Sequence, residues 1–174
     1  MSAGGGSNAT CGDYSSVSGG EFNAACGDYS SVSGGETNGA SGDYSSVSGG
    51  ESNTASGDYS TISEGANNQA HGDYSFMGGG GDADNATYGN KANGKYSAIV
   101  GGLYNLAGDD PDDELIGRYS VIVGGDHNIT KSTTTAIVGG NGNTVSGGRS
   151  TISGGISKTV TTGNTWANSC TNCP

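Results

Sequence analysis

Basic residues are scarce in this chain: six Lys and Arg stand against 17 Asp and Glu, a net charge of -11. So acidic a balance argues against nucleic acid and against an anionic membrane surface as partners. Proline, phenylalanine and methionine occur twice each and tryptophan once. No apolar run approaches the ~20 residues needed to insert across a bilayer. Large apolar side chains are too few and too evenly spread for a globular core of the usual kind. The start, MSAGGGSNATC, has neither a basic region nor an apolar segment, so it does not read as a secretory signal. An extracellular location is then reached by another route, as a virion component reaches it, or with a leader outside this sequence. Chemistry is missing too. His71 and His127 are isolated, and no Ser-His-Asp arrangement, phosphate loop or nucleotide fingerprint is visible. The expectation is a protein that is not an enzyme and needs no cofactor.

What the chain has is glycine, 36 residues of it, in a strict register. Val17, Val32, Val47, Ile62 and Met77 follow one another at fifteen-residue steps; Ile99 and Ile122 come after steps of 22 and 23; Ile137 and Ile152 return to fifteen. The longer steps are one repeat plus an insertion, near 78–90 and 108–117. Asparagine keeps the same register at Asn8, Asn23, Asn38, Asn53, Asn68, Asn90, Asn105, Asn128 and Asn143. Two residues later stand Ala25, Ala40, Ala55, Ala70, Ala92 and Ala107, then Thr130, Val145 and Val160. Low hydrophobicity with high net charge ordinarily signals disorder, but a disordered tract has no need to hold register across two insertions.

Fifteen residues with two short alternating segments, "YSSVS" and "NxAxG", describe one coil of a β-solenoid. The expected fold is all-β: a parallel β-roll of about nine coils over 8–160, with tails at 1–7 and 161–174. The column from Val17 to Ile152 points inward on one strand, the alanine column on the other, and Gly-rich corners turn the chain. The asparagines are expected at a corner, in left-handed geometry, bonding backbone groups.

Stacking turns each column into a ladder. Tyr14, Tyr29, Tyr44, Tyr59 and Tyr74, continued by Tyr96 and Tyr119, are placed outside by strand alternation, on the face opposite Val17. The stripe reads either as aromatic stacking over the backbone or as a surface for glycan, host receptor or another partner. Asp13, Asp28, Asp43, Asp58 and Asp73 precede the first five tyrosines, and Lys95 and Arg118 continue that column. Carboxylates ~4.8 Å apart repel by about 0.9 kcal/mol in water, so the row is either solvated or bridged by calcium. The acidic insertion "DDPDDE" lacks the ligand spacing of an EF-hand. Outward positions beside the core residue change along the chain, from Ser16 and Ser18 in the first coil to Ala98 and Val100, Val121 and Val123, Ala136 and Val138. A strand apolar on both faces is expected to be covered on both, here by another chain. The Ser/Thr rows (Ser16 and Ser18, Thr61 and Ser63, Thr151 and Ser153) allow an alternative, an ice-binding solenoid, which a thermal hysteresis measurement separates from a fibre.

"YSAIVGGLYNLAG", "YSVIVGGDHNIT" and "YSSVSGGESNTASG" resemble the YadA-like head repeats of trimeric autotransporter adhesins and the similar repeats of viral and phage tail-fibre proteins. The resemblance covers roughly 8–160. It implies a left-handed β-roll, three chains side by side as a homotrimer, and a structural or adhesive role as a head or fibre segment on a virion or cell surface. Fifteen-residue spacing and the tyrosine ladder fit the viral-fibre variety better. Open solenoid ends carry unpaired strand edges, so end-to-end assembly into a filament is a further expectation.

Cys11 and Cys26 lie one coil apart in one column, ~4.8 Å between α-carbons, which suits either a coil-to-coil disulfide or two thiols. Cys170 and Cys173 form a lone C-x-x-C, read as a local or interchain disulfide rather than a zinc site. Asn8, Asn85 and Asn128 head N-x-T sequons, possible glycosylation sites where a glycosylating route exists.

Overall fold

The computed structural model describes residues 5–85, 87, 89–108 and 116–167. Twenty two-residue strands alternate between two ten-stranded parallel sheets, and no α-helix occurs among the described residues. One sheet, the valine sheet, runs from Ser16–Val17 to Trp166–Ala167; the other, the alanine sheet, runs from Ala9–Thr10 to Thr159–Val160. The fold is a parallel β-solenoid. Nine intervals at strand spacing make each sheet about 43 Å long.

Register is unbroken. Val17 pairs with Val32, Val32 with Val47, Val47 with Ile62, and so on through Met77, Ile99, Ile122, Ile137 and Ile152 to Ala167. From Val17 to Ile152 these side chains are completely buried against the alanine column. Each strand carries one inward residue because its outer neighbour must point to the opposite face. The core is therefore one aliphatic and one small residue thick. Such a coil buries too little to stand alone, so stability comes from contacts between neighbours.

Two corners close each coil, and both use backbone that L-residues seldom adopt. At the first, a glycine such as Gly20, Gly35 or Gly50 has φ between +80° and +89°. Two residues on, Phe22, Thr37 and Ser52 sit near +57°. At the second corner, Gly27-Asp28-Tyr29-Ser30 forms a turn in which Ser30 N–H donates to Gly27 O at 3.2 Å, with Tyr29 at φ +58°. Left-handed backbone costs about 1–2 kcal/mol per non-glycine residue. It persists here because the amide is held: Tyr29 N–H donates to Asp13 O, one coil back, at 2.7 Å.

Three expectations need correction. The asparagines are not left-handed; the residue before each of them is, except Gly89 before Asn90. The tyrosines are outside because of this turn, not by strand alternation, since the strand begins only at Ser16 or its equivalent. The roll of about nine coils runs on into the segments expected to be tails: Trp166–Ala167 adds a tenth row to the valine sheet, and Gly6 already bridges to Glu21. Ser30, Ser45, Ser60, Ser75 and Ser97 are also buried, although polarity alone would place them outside.

The insertions leave from different corners. Gly80 stacks on Gly65 while Asn90 follows Asn68, so the first lies between Gly80 and Asn90 at the glycine corner. The second lies between Gly108 and Gly117 at the tyrosine corner, since Gly94 packs on both. Neither disturbs the register on its far side.

Candidate functional site

The asparagine column is the internal frame on which the outer surface rests. Asn38, Asn53, Asn68, Asn90, Asn105, Asn128 and Asn143 are essentially inaccessible. Asn53 shows the pattern. Its Nδ2 donates to Gly49 O at 3.1 Å and to Gly65 O at 2.8 Å, and its Oδ1 accepts from Asn68 N–H at 3.0 Å. Glycine corners leave backbone groups inside the roll, and an amide is the one neutral side chain offering two donors and an acceptor to satisfy them. Asn128 belongs to the same frame, with Nδ2 bonded to Gly124 O and Gly140 O, so this sequon presents no accessible nitrogen for glycosylation. Asn8 is partly exposed but donates to Gly20 O. Asn85 lies in the first insertion and accepts from Thr87 N–H.

Outside, seven tyrosines from Tyr14 to Tyr119 stack in one continuous row. Ring centroids are 4.8–5.1 Å apart and neighbouring planes diverge by at most 17°. Interior ring faces lie against one another, so the row offers its edges to solvent; Tyr14, at the end, is 81% exposed. Desolvation among the rings, then the charges of Tyr59, Tyr29, Asp43 and Asp28, holds the Tyr44 phenol above its ordinary pKa. Because each tyrosine is left-handed, its replacement has an unusual order. Tyr44→Gly and Tyr44→Ala both lose two stacking contacts, but glycine relieves φ +59°. Tyr44→Ala is expected to be the less stable of the two by about 1 kcal/mol; urea unfolding checks this, and an alanine variant as stable as the glycine one contradicts it.

The aspartate row is held by a device that spacing alone did not reveal. Asp28 Oδ1 accepts from Asp13 N–H at 2.8 Å, Asp43 from Asp28, Asp58 from Asp43 and Asp73 from Asp58, at 2.9–3.0 Å. From Asp28 to Asp73 each carboxylate thus binds the backbone amide of the preceding aspartate, which offsets part of the repulsion. Lys95 continues the row with Nζ 2.9 Å from Asp73 Oδ2. It also lies 5.6 and 5.7 Å from the Tyr74 and Tyr96 centroids, while the Arg118 guanidinium sits 4.8 Å from that of Tyr119. Among the described residues, no group of three or more His, Cys, Asp or Glu comes together as a metal site. Residues 109–114 lie outside the described residues, as do Cys170 and Cys173.

On the alanine sheet Cys11 and Cys26 are joined by a disulfide, their α-carbons 4.4 Å apart. His71 occupies a later place in that column. Its Nδ1 is 2.6 Å from Ser56 Oγ and its Nε2 is 3.2 Å from Gln69 Oε1. Burial, with Lys91 nearby, holds its pKa below the usual histidine value.

The outer face of the valine sheet carries the apolar strip. Val100, Val121, Val123 and Val138 are 36–50% exposed, with Ala98 and Ala136 half-buried between them. Phe76, 41% exposed and paired with Ala98, extends the strip by one coil. Sequence reasoning missed it because the comparison began at Ala98; its place in the Ser16 column was the available signal. The strip ends at Thr151, and Trp166 stands beyond it, exposed. In the coils before Phe76 the same positions are serine and threonine, and Ser31 Oγ donates to Ser46 Oγ along the ladder.

The chain matches no protein-family model, and no curated protein matches it either.

Proposed function

We propose that this protein is a non-enzymatic structural segment of a fibre or adhesive head, built by packing copies of itself side by side through the apolar strip of the valine sheet. The observation that carries this reading is the change along one face. Five exposed apolar residues (Phe76, Val100, Val121, Val123 and Val138) occupy columns that are serine or threonine in the first four coils and again at Thr151 and Ser153, beside inner residues that are already buried. A ladder of valines at strand spacing suits a surface with the same repeat, and a second copy of this chain supplies one. The resemblance to trimeric head and tail-fibre repeats favours three copies and an extracellular or virion setting.

Light scattering at micromolar concentration is expected to read three times the 17.0 kDa chain mass. Val121→Ser with Val123→Ser is expected to shift the protein toward monomer while its circular dichroism is kept, because both side chains point away from the core. Removing two buried valines at about 1.5 kcal/mol each weakens association roughly 100-fold. A well-folded monomer of the unsubstituted protein at that concentration refutes the reading.

A further inference from the structure

We propose that the tyrosine row is an oxidative cross-linking site, in which neighbouring phenols one coil apart are joined as dityrosine by a one-electron oxidant such as a peroxidase or a photo-oxidised metal complex. The inference does not depend on how copies pack, because it concerns contacts within one chain. Six adjacent ring pairs stand 4.8–5.1 Å apart with nearly parallel planes. Their rims are open to solvent: from Tyr29 to Tyr119 each ring is 39–50% exposed. Each side chain therefore has an oxidisable partner within one ring rotation and a route for the oxidant to reach it. The effective concentration of the second phenol is fixed by the fold, which turns coupling into a local event.

The step balances without any group from the protein beyond the two tyrosines. Each phenol gives one electron to the oxidant and one proton to water. The two phenoxyl radicals pair their electrons in a carbon–carbon bond between ring positions ortho to the hydroxyls. The two displaced ring hydrogens then move to the oxygens and restore both phenols. The pair loses two electrons and two protons in all, and two equivalents of a one-electron oxidant are reduced.

Charge along the row gives the reaction a direction. Tyr14, Tyr29, Tyr44, Tyr59 and Tyr74 each follow an aspartate, whereas Tyr96 and Tyr119 follow Lys95 and Arg118. Lys95 lies within 6 Å of the Tyr74 and Tyr96 ring centroids, and Arg118 within 6 Å of those of Tyr96 and Tyr119. A nearby anion favours a ring that is losing an electron, and a nearby cation opposes it. Cross-links are therefore expected to gather among the first four tyrosines, Tyr14 to Tyr59. They would fasten coil to coil on one edge of the roll, as the Cys11–Cys26 bridge fastens the first two coils on the alanine sheet.

The experiment is illumination of the dilute, folded full chain with tris-bipyridyl ruthenium and persulfate, followed by peptide mapping. The expected products are tyrosine peptides linked one repeat apart, lighter by two hydrogens per link, chiefly within Tyr14 to Tyr59. Tyr44→Phe with Tyr59→Phe keeps the stacked rings but removes three of the six adjacent pairs, and is expected to abolish those links and at least halve the dityrosine fluorescence. Links chiefly between chains, links between tyrosines out of register, the same pattern after unfolding in urea, or hydroxylated tyrosines with no links would each overturn the proposal.

Discussion

Gly50→Ala is expected to break the stack, while Gly49→Ala, one residue away, leaves it intact. A β-carbon on Gly50 would stand 2.1 Å from Gly65 O, 2.6 Å from Asn53 Nδ2 and 2.9 Å from Gly65 N, on backbone at φ +89°. The obstruction is the backbone of the next coil, so no rotamer change relieves it. Either the two coils separate or the corner unwinds, and both break the ladder that Glu51 N–H makes to Gly65 O. The loss is expected to exceed about 4 kcal/mol, at the diagnostic end of single substitutions. Gly49 meets nothing within 4 Å and has no positive φ. Its alanine variant is expected to stay within about 0.5 kcal/mol of the parent. Urea unfolding followed by circular dichroism separates the two; equal effects contradict the coil-to-coil contact at this corner.

The second large effect is expected at Asn53. Asn53→Ala removes the donors that reach Gly49 O and Gly65 O and the acceptor of Asn68 N–H. Gly65 O keeps a partner in Glu51 N–H, but Asn68 N–H, inside the roll, loses its own. A buried polar group left unmade costs about 1–3 kcal/mol, and the truncated side chain leaves a gap at a fully buried position. The expected destabilisation is about 3 kcal/mol, against less than about 0.5 kcal/mol for Ser48→Ala on the outer face. An Asn53→Ala protein that unfolds at the same urea concentration as the parent would show that the amide column is ornamental.

These two residues also show how far the sequence could be read. The fifteen-residue step was legible because the fold stacks like on like, so Val17, Val32 and Val47 repeat in the chain as they do in space. The inward alanines followed from the same register. That the asparagines bond backbone groups at a corner was legible; that they and a serine column lie buried was not. Asn53 and Ser45 are buried, yet hydrophobicity places both in solvent. Asn53 is inside because glycine corners turn backbone groups inward and need a polar partner there. Ser45 Oγ, by contrast, has no hydrogen-bond partner among the described residues, and the residue is inside only as a small side chain next to the tyrosine turn. The tyrosine geometry was missed for a related reason. A two-residue strand ends before the alternation rule reaches Tyr44, so the turn sets its direction. Likewise Asp28 was read as a charge to be screened, whereas its carboxylate also serves the Asp13 amide. The apolar strip was visible at Ala98 to Val138 but not at Phe76, where a lone aromatic beside Gly78 masks the trend.

Engineered disulfides test the register itself. Ser33→Cys with Ser48→Cys places two thiols in one outward column, one coil apart, at the ~4.8 Å separation a bridge accepts. Ser33→Cys with Ser46→Cys places them in adjacent coils but different columns, roughly 8 Å apart along the diagonal, too far to close. Under mild oxidation of the folded protein, the first pair is expected to form a bridge that peptide mapping locates between positions 33 and 48, and the second to remain reduced. Closure of both pairs to the same extent would mean that residues fifteen apart are not vertical neighbours, and the solenoid account would fail.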